Sequence, residues 1–218
     1  MRYRLAIFDL DGTILDTLED LTDSTNYALQ KNNFPQRTIE EVRHFVGNGI
    51  GKLIERAVPA GTEAEETKQV LADFTQYYGQ HCADKTKAYD GIKELIEELR
   101  RNGYLTAVVS NKADFAVQEL CEQYFPNLFD YVVGEKENIR RKPAPDTVFE
   151  VLEKLHINKE DAVYIGDSDV DIQTAVNAGL EKISVTWGFR DREFLLEQGA
   201  DWVVDTPNAI LELLLTDQ

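Results

Sequence analysis

The apolar positions of this chain follow two different spacings, one typical of strands and one typical of helices. Near the N-terminus, four consecutive apolar residues, Leu5-Ala6-Ile7-Phe8, predict a short buried strand. From residue 18 onward, apolar residues such as Leu18, Leu21 and Leu29 lie at helical spacing. This spacing continues to about residue 83, and it predicts a run of amphipathic helices.

From about residue 90 the pattern changes to an alternation of strands and helices, which is typical of a parallel sheet covered by helices. We therefore predict an α/β fold, a Rossmann-like doubly wound parallel sheet with an inserted all-α domain. The first strand belongs with the later segment, so residues 1–16 and 84–218 form one discontinuous domain and residues 17–83 form the helical one. The predicted strands cover 5–8, 104–110, 131–134, 162–166, 182–186 and 202–204, and the predicted helices of this domain cover 92–101, 113–124, 147–155, 170–178, 192–198 and 208–215.

The charge balance of the chain argues against two classes of partner. The chain has 218 residues, of which 43% are hydrophobic, and a formal net charge of −17. This charge repels nucleic acid and anionic membrane surfaces, so neither is expected as a partner. A small phosphorylated metabolite remains possible, because a local cluster of positive charge is enough to bind it. The oligomeric state is not predicted.

The cysteines and the apolar runs favour a cytoplasmic location. Cys82 and Cys121 lie in no metal-binding spacing, and two cysteines fit reduced thiols used for packing. Asp9 and Asp11 interrupt the N-terminal apolar run before a signal peptide is complete, and no later run approaches about 18 residues.

Polar residues follow several of the predicted strands, at the edge where parallel α/β sheets bind ligands. Each motif alone has a structural explanation: a turn at Asp11-Gly12, a helix cap at Ser110-Asn111, a loop at Lys142-Pro143 and a second cap at Asp167-Ser168. Together they place carboxylates, a hydroxyl and lysines at one edge. Asp9 and Asp11 point the same way in an extended segment, so a divalent cation would relieve their repulsion.

These segments resemble the four ordered motifs of the haloacid dehalogenase superfamily of phosphotransferases. The matching segments are Phe8-Asp9-Leu10-Asp11-Gly12-Thr13, the strand end at Ser110, Lys142-Pro143 and Gly166-Asp167-Ser168-Asp169-Val170-Asp171. The resemblance covers essentially the whole chain. It implies that the helical insertion is the small α-helical cap of this family.

Within that superfamily, three further segments look most like phosphoglycolate phosphatases. They are Asp16-Thr17-Leu18-Glu19-Asp20-Leu21, Val46-Gly47-Asn48-Gly49 and Val185-Thr186-Trp187-Gly188. The resemblance implies a phosphoric monoester hydrolase that acts on a small phosphomonoester, and 2-phosphoglycolate is one candidate substrate.

The chemistry of phosphoryl transfer suits these residues. Asp9 is the expected nucleophile, which forms an aspartyl phosphate, and Asp11 is the expected general acid and base. Mg²⁺ favours hard oxygen ligands, so we expect it to bind the Asp9 carboxylate, the Asp11 backbone carbonyl and Asp167. Asp171 is expected to orient a metal-bound water or Lys142, without direct ligation.

The resemblance also implies the residues that bind the phosphoryl group. Ser110 and Asn111 would donate hydrogen bonds to its oxygens. Lys142 would neutralise the negative charge of Asp9 and of the phosphoryl group. Thr13 would hold the loop after Asp11 or contact the phosphoryl group. In the cap, Gly47 and Asn48 are expected to face the substrate. Contributions from Lys112 and Asp169 stay open.

Several alternatives share part of this pattern. A pyrophosphatase needs the same core with more positive charge at the cap, and a β-phosphoglucomutase-type phosphomutase needs a serine-arginine pair where this chain has Gly49-Ile50-Gly51-Lys52. A phosphonate hydrolase of this fold carries alanine in place of Asp11. From a different class, the chain could be a non-catalytic regulatory domain that binds phosphate or Mg²⁺.

Overall fold

The structure of the chain is a computed structural model, and it describes residues 2–216. Residues 1, 217 and 218, which the sequence assigns to the α/β domain, lie outside the described residues. The chain divides into two compact units: the α/β unit comprises Met1–Leu15 and Ala88–Gln218, and the helical unit comprises Asp16–Lys87.

In chain order, the elements are β1 (Leu5–Phe8), β2 (Leu15–Asp16), α1 (Leu18–Lys31), α2 (Ile39–Phe45), α3 (Ile50–Ala57), α4 (Ala64–His81), β3 (Lys87–Ala88), α5 (Ile92–Arg101), β4 (Leu105–Ala113), α6 (Asp114–Tyr124), β5 (Tyr131–Glu135), α7 (Asp146–Leu155), a 3₁₀ turn at Lys159–Asp161, β6 (Ala162–Gly166), α8 (Asp169–Ala178), β7 (Glu181–Val185), α9 (Arg192–Glu197), β8 (Trp202–Val204) and α10 (Pro207–Thr216).

Within residues 2–216, six strands form one sheet in the order β5-β4-β1-β6-β7-β8. Its neighbouring strands run parallel, and Leu5 of β1 pairs with Leu105 of β4 on one side and with Ala162 of β6 on the other. All four residues of β1 are buried, as expected of a central parallel strand with both faces covered. The predicted α/β fold class is confirmed.

A hydrophobic core lies between one face of the sheet and the helices α7 and α8. Alternate residues of three neighbouring strands point to one face, as the two-residue period of a strand requires. There they pack against apolar residues of α7 and α8. The strand residues are Leu5, Ile7, Ala107, Val109, Ala162 and Tyr164, and the helix residues are Val148, Val151, Leu152, Ala175 and Ala178.

The helical unit is held by buried polar contacts as well as by apolar packing. The carboxylate of Asp20, on α1, accepts hydrogen bonds from the backbone N–H groups of Lys85 and Thr86 and from the Thr86 hydroxyl. Asp73, on α4, accepts from Lys31 at 2.7 Å and from Asn32 at 2.8 Å. No helix among the described residues has both the length and the apolar character needed to cross a membrane.

Several predicted element ends are shifted by one residue, the 3₁₀ turn at Lys159–Asp161 was not predicted, and two larger details differ. The short strands β2 and β3 pair with each other and were not predicted, because two residues are too few to show a pattern. Strand β4 continues to Ala113 instead of ending at residue 110, and its pairing register with β5 shifts between Val109 and Ala113. The residues Ser110, Asn111 and Lys112 therefore lie in an irregular strand end.

Candidate active site

The candidate site lies at the carboxyl ends of three neighbouring strands of the sheet. Asp9 directly follows β1, Asp167 directly follows β6, and Ser110, Asn111 and Lys112 occupy the end of β4. Because β1 lies between β4 and β6, these three strand ends are adjacent. Lys142 comes from the segment between β5 and α7, and it is 4% exposed.

The ammonium group of Lys142 joins two buried carboxylates and a phenol. Its Nζ lies 2.7 Å from Asp9 Oδ1, 2.8 Å from Asp171 Oδ1 and 3.1 Å from the hydroxyl of Tyr164. The other oxygen of Asp171 accepts from the backbone N–H and the hydroxyl of Ser168, which caps α8. Both oxygens of Asp171 are thus bonded within the protein.

Three buried carboxylates could hold a metal ion at this site. One oxygen from each of Asp9, Asp167 and Asp171 lies within 4.8 Å of the others. When all three are ionised, Lys142 offsets only one of their three negative charges. A cluster of hard oxygen donors with a surplus of negative charge suits a divalent cation such as Mg²⁺ or Ca²⁺, so the residues present fit the metal that the sequence implies.

The same crowding shifts the pKa values of the site. Burial and the neighbouring carboxylate of Asp171 raise the pKa of Asp167 to about 7. The same two causes raise the pKa of Asp9 well above its usual range. Burial opposes the charged form of Lys142, but the carboxylates of Asp171 and Asp9 outweigh it and hold the pKa of Lys142 well above its usual value. The lysine is therefore charged.

Asp167 is fixed by the loops that follow β1 and β7. Its Oδ1 accepts a hydrogen bond from the hydroxyl of Thr13 at 3.2 Å, and its Oδ2 accepts from the backbone N–H of Phe189 at 2.7 Å. The indole Nε1–H of Trp187 donates to the backbone carbonyl of Thr13 at 3.0 Å. Thr13, proposed from sequence to hold its own loop or contact phosphate, contacts Asp167.

Asp11 has a different cationic partner from Asp9. The Nζ of Lys112 lies 2.9 Å from Asp11 Oδ1, and Lys112 is buried. The two carboxylates that the sequence placed at the end of the first strand therefore lie beside different lysines, Lys142 at Asp9 and Lys112 at Asp11. Lys112, whose contribution the sequence left open, thus contacts Asp11.

The residues expected to bind phosphate also support the lysines. The hydroxyl of Ser110 accepts a hydrogen bond from the backbone N–H of Lys112 at 3.1 Å. The side-chain amide of Asn111 donates to the backbone carbonyl of Lys142 at 3.1 Å. Both side chains are buried at the strand end.

The remaining predicted residues make contacts within their own units. Gly47 and Asn48 belong to the helical unit, between α2 and α3, and Asn48 Oδ1 accepts from Arg56 Nη2 at 2.8 Å. Asp169 is the first residue of α8, and its carboxylate lies 3.5 Å from Nε of Arg190.

Sequence reasoning missed two residues that contact the site. Tyr164 lies within a strand whose other residues are apolar. Its hydroxyl was the only feature of the sequence that could have pointed to a polar role. Phe189 contributes a backbone N–H, which no side-chain pattern can reveal. Trp187 and Gly188 were noted only as part of a resemblance.

Comparison with known proteins identifies the family of this chain. Residues 6–185 match the family model described as haloacid dehalogenase-like hydrolase. The phosphoglycolate phosphatase of Aliivibrio fischeri is 33% identical over 218 residues, which cover 97% of this chain and 96% of that protein. The phosphoglycolate phosphatase of Haemophilus influenzae is 33% identical over 221 residues, which cover 98% of this chain and 99% of that protein.

A solved structure is similar over the same length. The crystal structure of a candidate phosphoglycolate phosphatase from Lactobacillus delbrueckii subsp. bulgaricus matches with a TM-score of 0.95 and 40% identity, and the match covers 99% of each chain. The family match spans most of the sequence, and the curated relatives align from end to end. The chain therefore belongs to the haloacid dehalogenase-like hydrolase family, among its phosphatases.

Proposed function

We propose that this protein is a Mg²⁺-dependent phosphatase that hydrolyses a small phosphomonoester through an aspartyl-phosphate intermediate. The observation that carries the proposal is the cluster of Asp9, Asp167 and Asp171, two of which are paired with Lys142, since it combines a nucleophile with oxygen ligands that a divalent cation can bind. The names of the relatives make 2-phosphoglycolate the first substrate to test.

In the first half-reaction, a carboxylate oxygen of Asp9 attacks the phosphorus atom. The oxygen–phosphorus bond to Asp9 forms while the ester bond to the leaving oxygen breaks, and Asp11 gives its proton to that oxygen. Lys142, bonded to Asp9 Oδ1, keeps the nucleophile oriented and offsets its charge as the phosphoryl group approaches. The products are the free alcohol and the aspartyl phosphate.

In the second half-reaction, water attacks the phosphorus atom of the aspartyl phosphate. Asp11, now a carboxylate, accepts a proton from the water, and the bond between phosphorus and Asp9 breaks to release phosphate. The Nζ of Lys112 lies 2.9 Å from Asp11 Oδ1, where its charge favours the carboxylate form of Asp11 that accepts this proton.

Asp9 and Asp167 are the carboxylates that would hold Mg²⁺, together with the backbone carbonyl of Asp11. When bound, the cation offsets negative charge on the phosphoryl oxygens and lets an anionic substrate enter an acidic site. Thr13 and the backbone N–H of Phe189 keep Asp167 in position. Ser110 and Asn111 are the proposed donors to the phosphoryl oxygens.

The test is turnover of 4-nitrophenyl phosphate and 2-phosphoglycolate with Mg²⁺ and with EDTA. We expect turnover only with Mg²⁺, and no turnover in Asp9→Asn. The matched control is Asp23→Asn, which makes the same substitution at an exposed carboxylate of α1 and should keep full activity. Metal-dependent turnover that survives in Asp9→Asn would exclude the covalent route.

A broader panel separates the remaining alternatives. Preference for pyrophosphate would indicate a pyrophosphatase, and isomerisation of a sugar phosphate without release of phosphate would indicate a mutase. If the wild-type protein hydrolyses none of a panel of natural phosphoesters, the enzymatic proposal fails and a regulatory binding domain takes its place.

A further inference from the structure

Tyr164 places one polar atom of the hydrophobic core against the lysine of the site. Its side chain is fully buried on β6, among the residues that pack against α7 and α8. The phenol oxygen lies 3.1 Å from Lys142 Nζ and 3.3 Å from Asp171 Oδ1, and Nζ lies 5.7 Å from the centre of the ring. A buried tyrosine hydroxyl requires such partners, but here the partner is the charged group beside the nucleophile.

The Tyr164 hydroxyl accepts the one N–H of Lys142 that the two carboxylates do not. An ammonium group has three N–H donors and no acceptor. The three acceptors around Nζ are Asp9 Oδ1 at 2.7 Å, Asp171 Oδ1 at 2.8 Å and the hydroxyl of Tyr164 at 3.1 Å. The phenol accepts the third N–H and donates its own hydrogen towards Asp171. With all three directions occupied, the ammonium cannot turn without losing a bond.

The backbone of Lys142 is fixed independently of Tyr164. The side-chain amide of Asn111 holds its carbonyl, and the side-chain amide of Asn177 donates to the carbonyl of the next residue, Pro143, at 2.8 Å. Removing the phenol oxygen should therefore leave the main chain in place. What changes is the direction of the ammonium group at the end of a flexible side chain.

We propose that Tyr164 is a positioning residue, whose hydroxyl takes one N–H of Lys142 and thereby keeps the other two directed at Asp9 and Asp171. This inference rests on the proposed function insofar as Asp9 is the nucleophile. Tyr164 acts through Lys142 and touches no reacting atom.

The test compares Tyr164→Phe with Tyr104→Phe. Tyr104 is also buried, and its hydroxyl donates to the carbonyl of Leu214 at 2.7 Å, so both variants remove one bonded phenol oxygen from the interior. With 4-nitrophenyl phosphate and saturating Mg²⁺, we expect kcat to fall about tenfold in Tyr164→Phe with KM within about twofold of the wild type. Tyr104→Phe should keep both constants.

A second measurement reports on Lys142 without turnover. In ¹H–¹⁵N spectra of lysine ammonium groups of the metal-free protein, Lys142 should give a slowly exchanging signal, assigned as the one that disappears in Lys142→Arg. We expect this signal to broaden or vanish in Tyr164→Phe and to persist in Tyr104→Phe.

The two readouts separate the inference from the proposed function. If the wild type hydrolyses no phosphoester, the proposed function fails, while the ammonium signal still decides whether Tyr164 holds Lys142. If the wild type is active, a kcat in Tyr164→Phe equal to that of Tyr104→Phe overturns the inference. An unchanged Lys142 signal in Tyr164→Phe overturns it as well.

Discussion

Gly188 packs so closely against Asp167 that no side chain fits at residue 188. A Cβ atom placed there would lie 2.5 Å from Asp167 Oδ2 and 2.3 Å from the backbone carbonyl oxygen of Gly12. The loop after β7 and the loop after β1 thus meet at the carboxylate proposed to bind the metal. The sequence showed this glycine only as part of a resemblance.

Gly188→Ala should weaken metal binding, because either Asp167 or the loop at Gly12 must move to admit the methyl group. We expect the Mg²⁺ concentration for half-maximal activity to rise at least about tenfold, which corresponds to about 1.4 kcal/mol of binding free energy. Isothermal titration with Mg²⁺ measures the loss of affinity directly.

The control is Gly79→Ala in α4, where nothing lies within 4 Å of the added atom and where alanine should raise helix stability by about 1 kcal/mol. Equal Mg²⁺ affinity in the two variants would contradict the prediction.

Asp11→Asn should slow both half-reactions, since the amide can neither give a proton to the leaving oxygen nor take one from water. With 4-nitrophenyl phosphate, whose leaving group needs little protonation, formation of the aspartyl phosphate should suffer less than its hydrolysis. Rapid-quench measurements should then show the phosphorylated protein accumulating. Unchanged rates for both steps would remove Asp11 from the acid–base role.

The metal-free protein should become less stable relative to Asp167→Asn as the pH rises from about 4 to about 7. The pKa of Asp167 is about 7 in the folded chain, compared with a usual value of 3.8. Between these values the folded state keeps a proton that the unfolded state has released, so the free energy of unfolding falls with rising pH and levels off above pH 7.

Urea unfolding in EDTA across this pH range measures the free energy of unfolding of the wild type and of Asp167→Asn, and the difference between the two values is the quantity to follow. Mg²⁺ should reduce the decline, because a bound cation favours the ionised carboxylate. A wild type whose stability relative to the variant stays constant or rises with pH would show that Asp167 is ionised in the metal-free fold.

Lys142→Met should destabilise the metal-free protein strongly. It removes the cation bonded to the buried carboxylates of Asp9 and Asp171, and breaking a buried ion pair from one side costs about 3–5 kcal/mol. The control is Lys182→Met, which removes the ion pair with Asp201. Because Asp201 is half exposed, losing this pair should lower the free energy of unfolding by at most about 1 kcal/mol. Urea unfolding of both variants checks the contrast. Similar losses in the two would indicate that the carboxylates at the site are not held by Lys142.

The sequence by itself determined the fold class and, to within one residue, most element boundaries of the α/β unit. The strand at Leu5–Phe8 is continuously apolar, and the later strands and helices show their own spacings, so local pattern and burial agree. It also singled out Asp9, Asp11 and Asp167, because polar groups at the ends of buried strands are costly without a function, and Lys142 through the family resemblance.

Only the tertiary structure decided which of these groups touch. Lys142 lies 133 positions from Asp9 in the chain, and nothing in the local pattern pairs Lys112 with Asp11. The backbone N–H of Phe189 and the hydroxyl of Tyr164 enter the site from segments that look like loop and core. Such contacts depend on the order of strands in the sheet and on distances of a few ångströms, which a one-dimensional pattern does not contain.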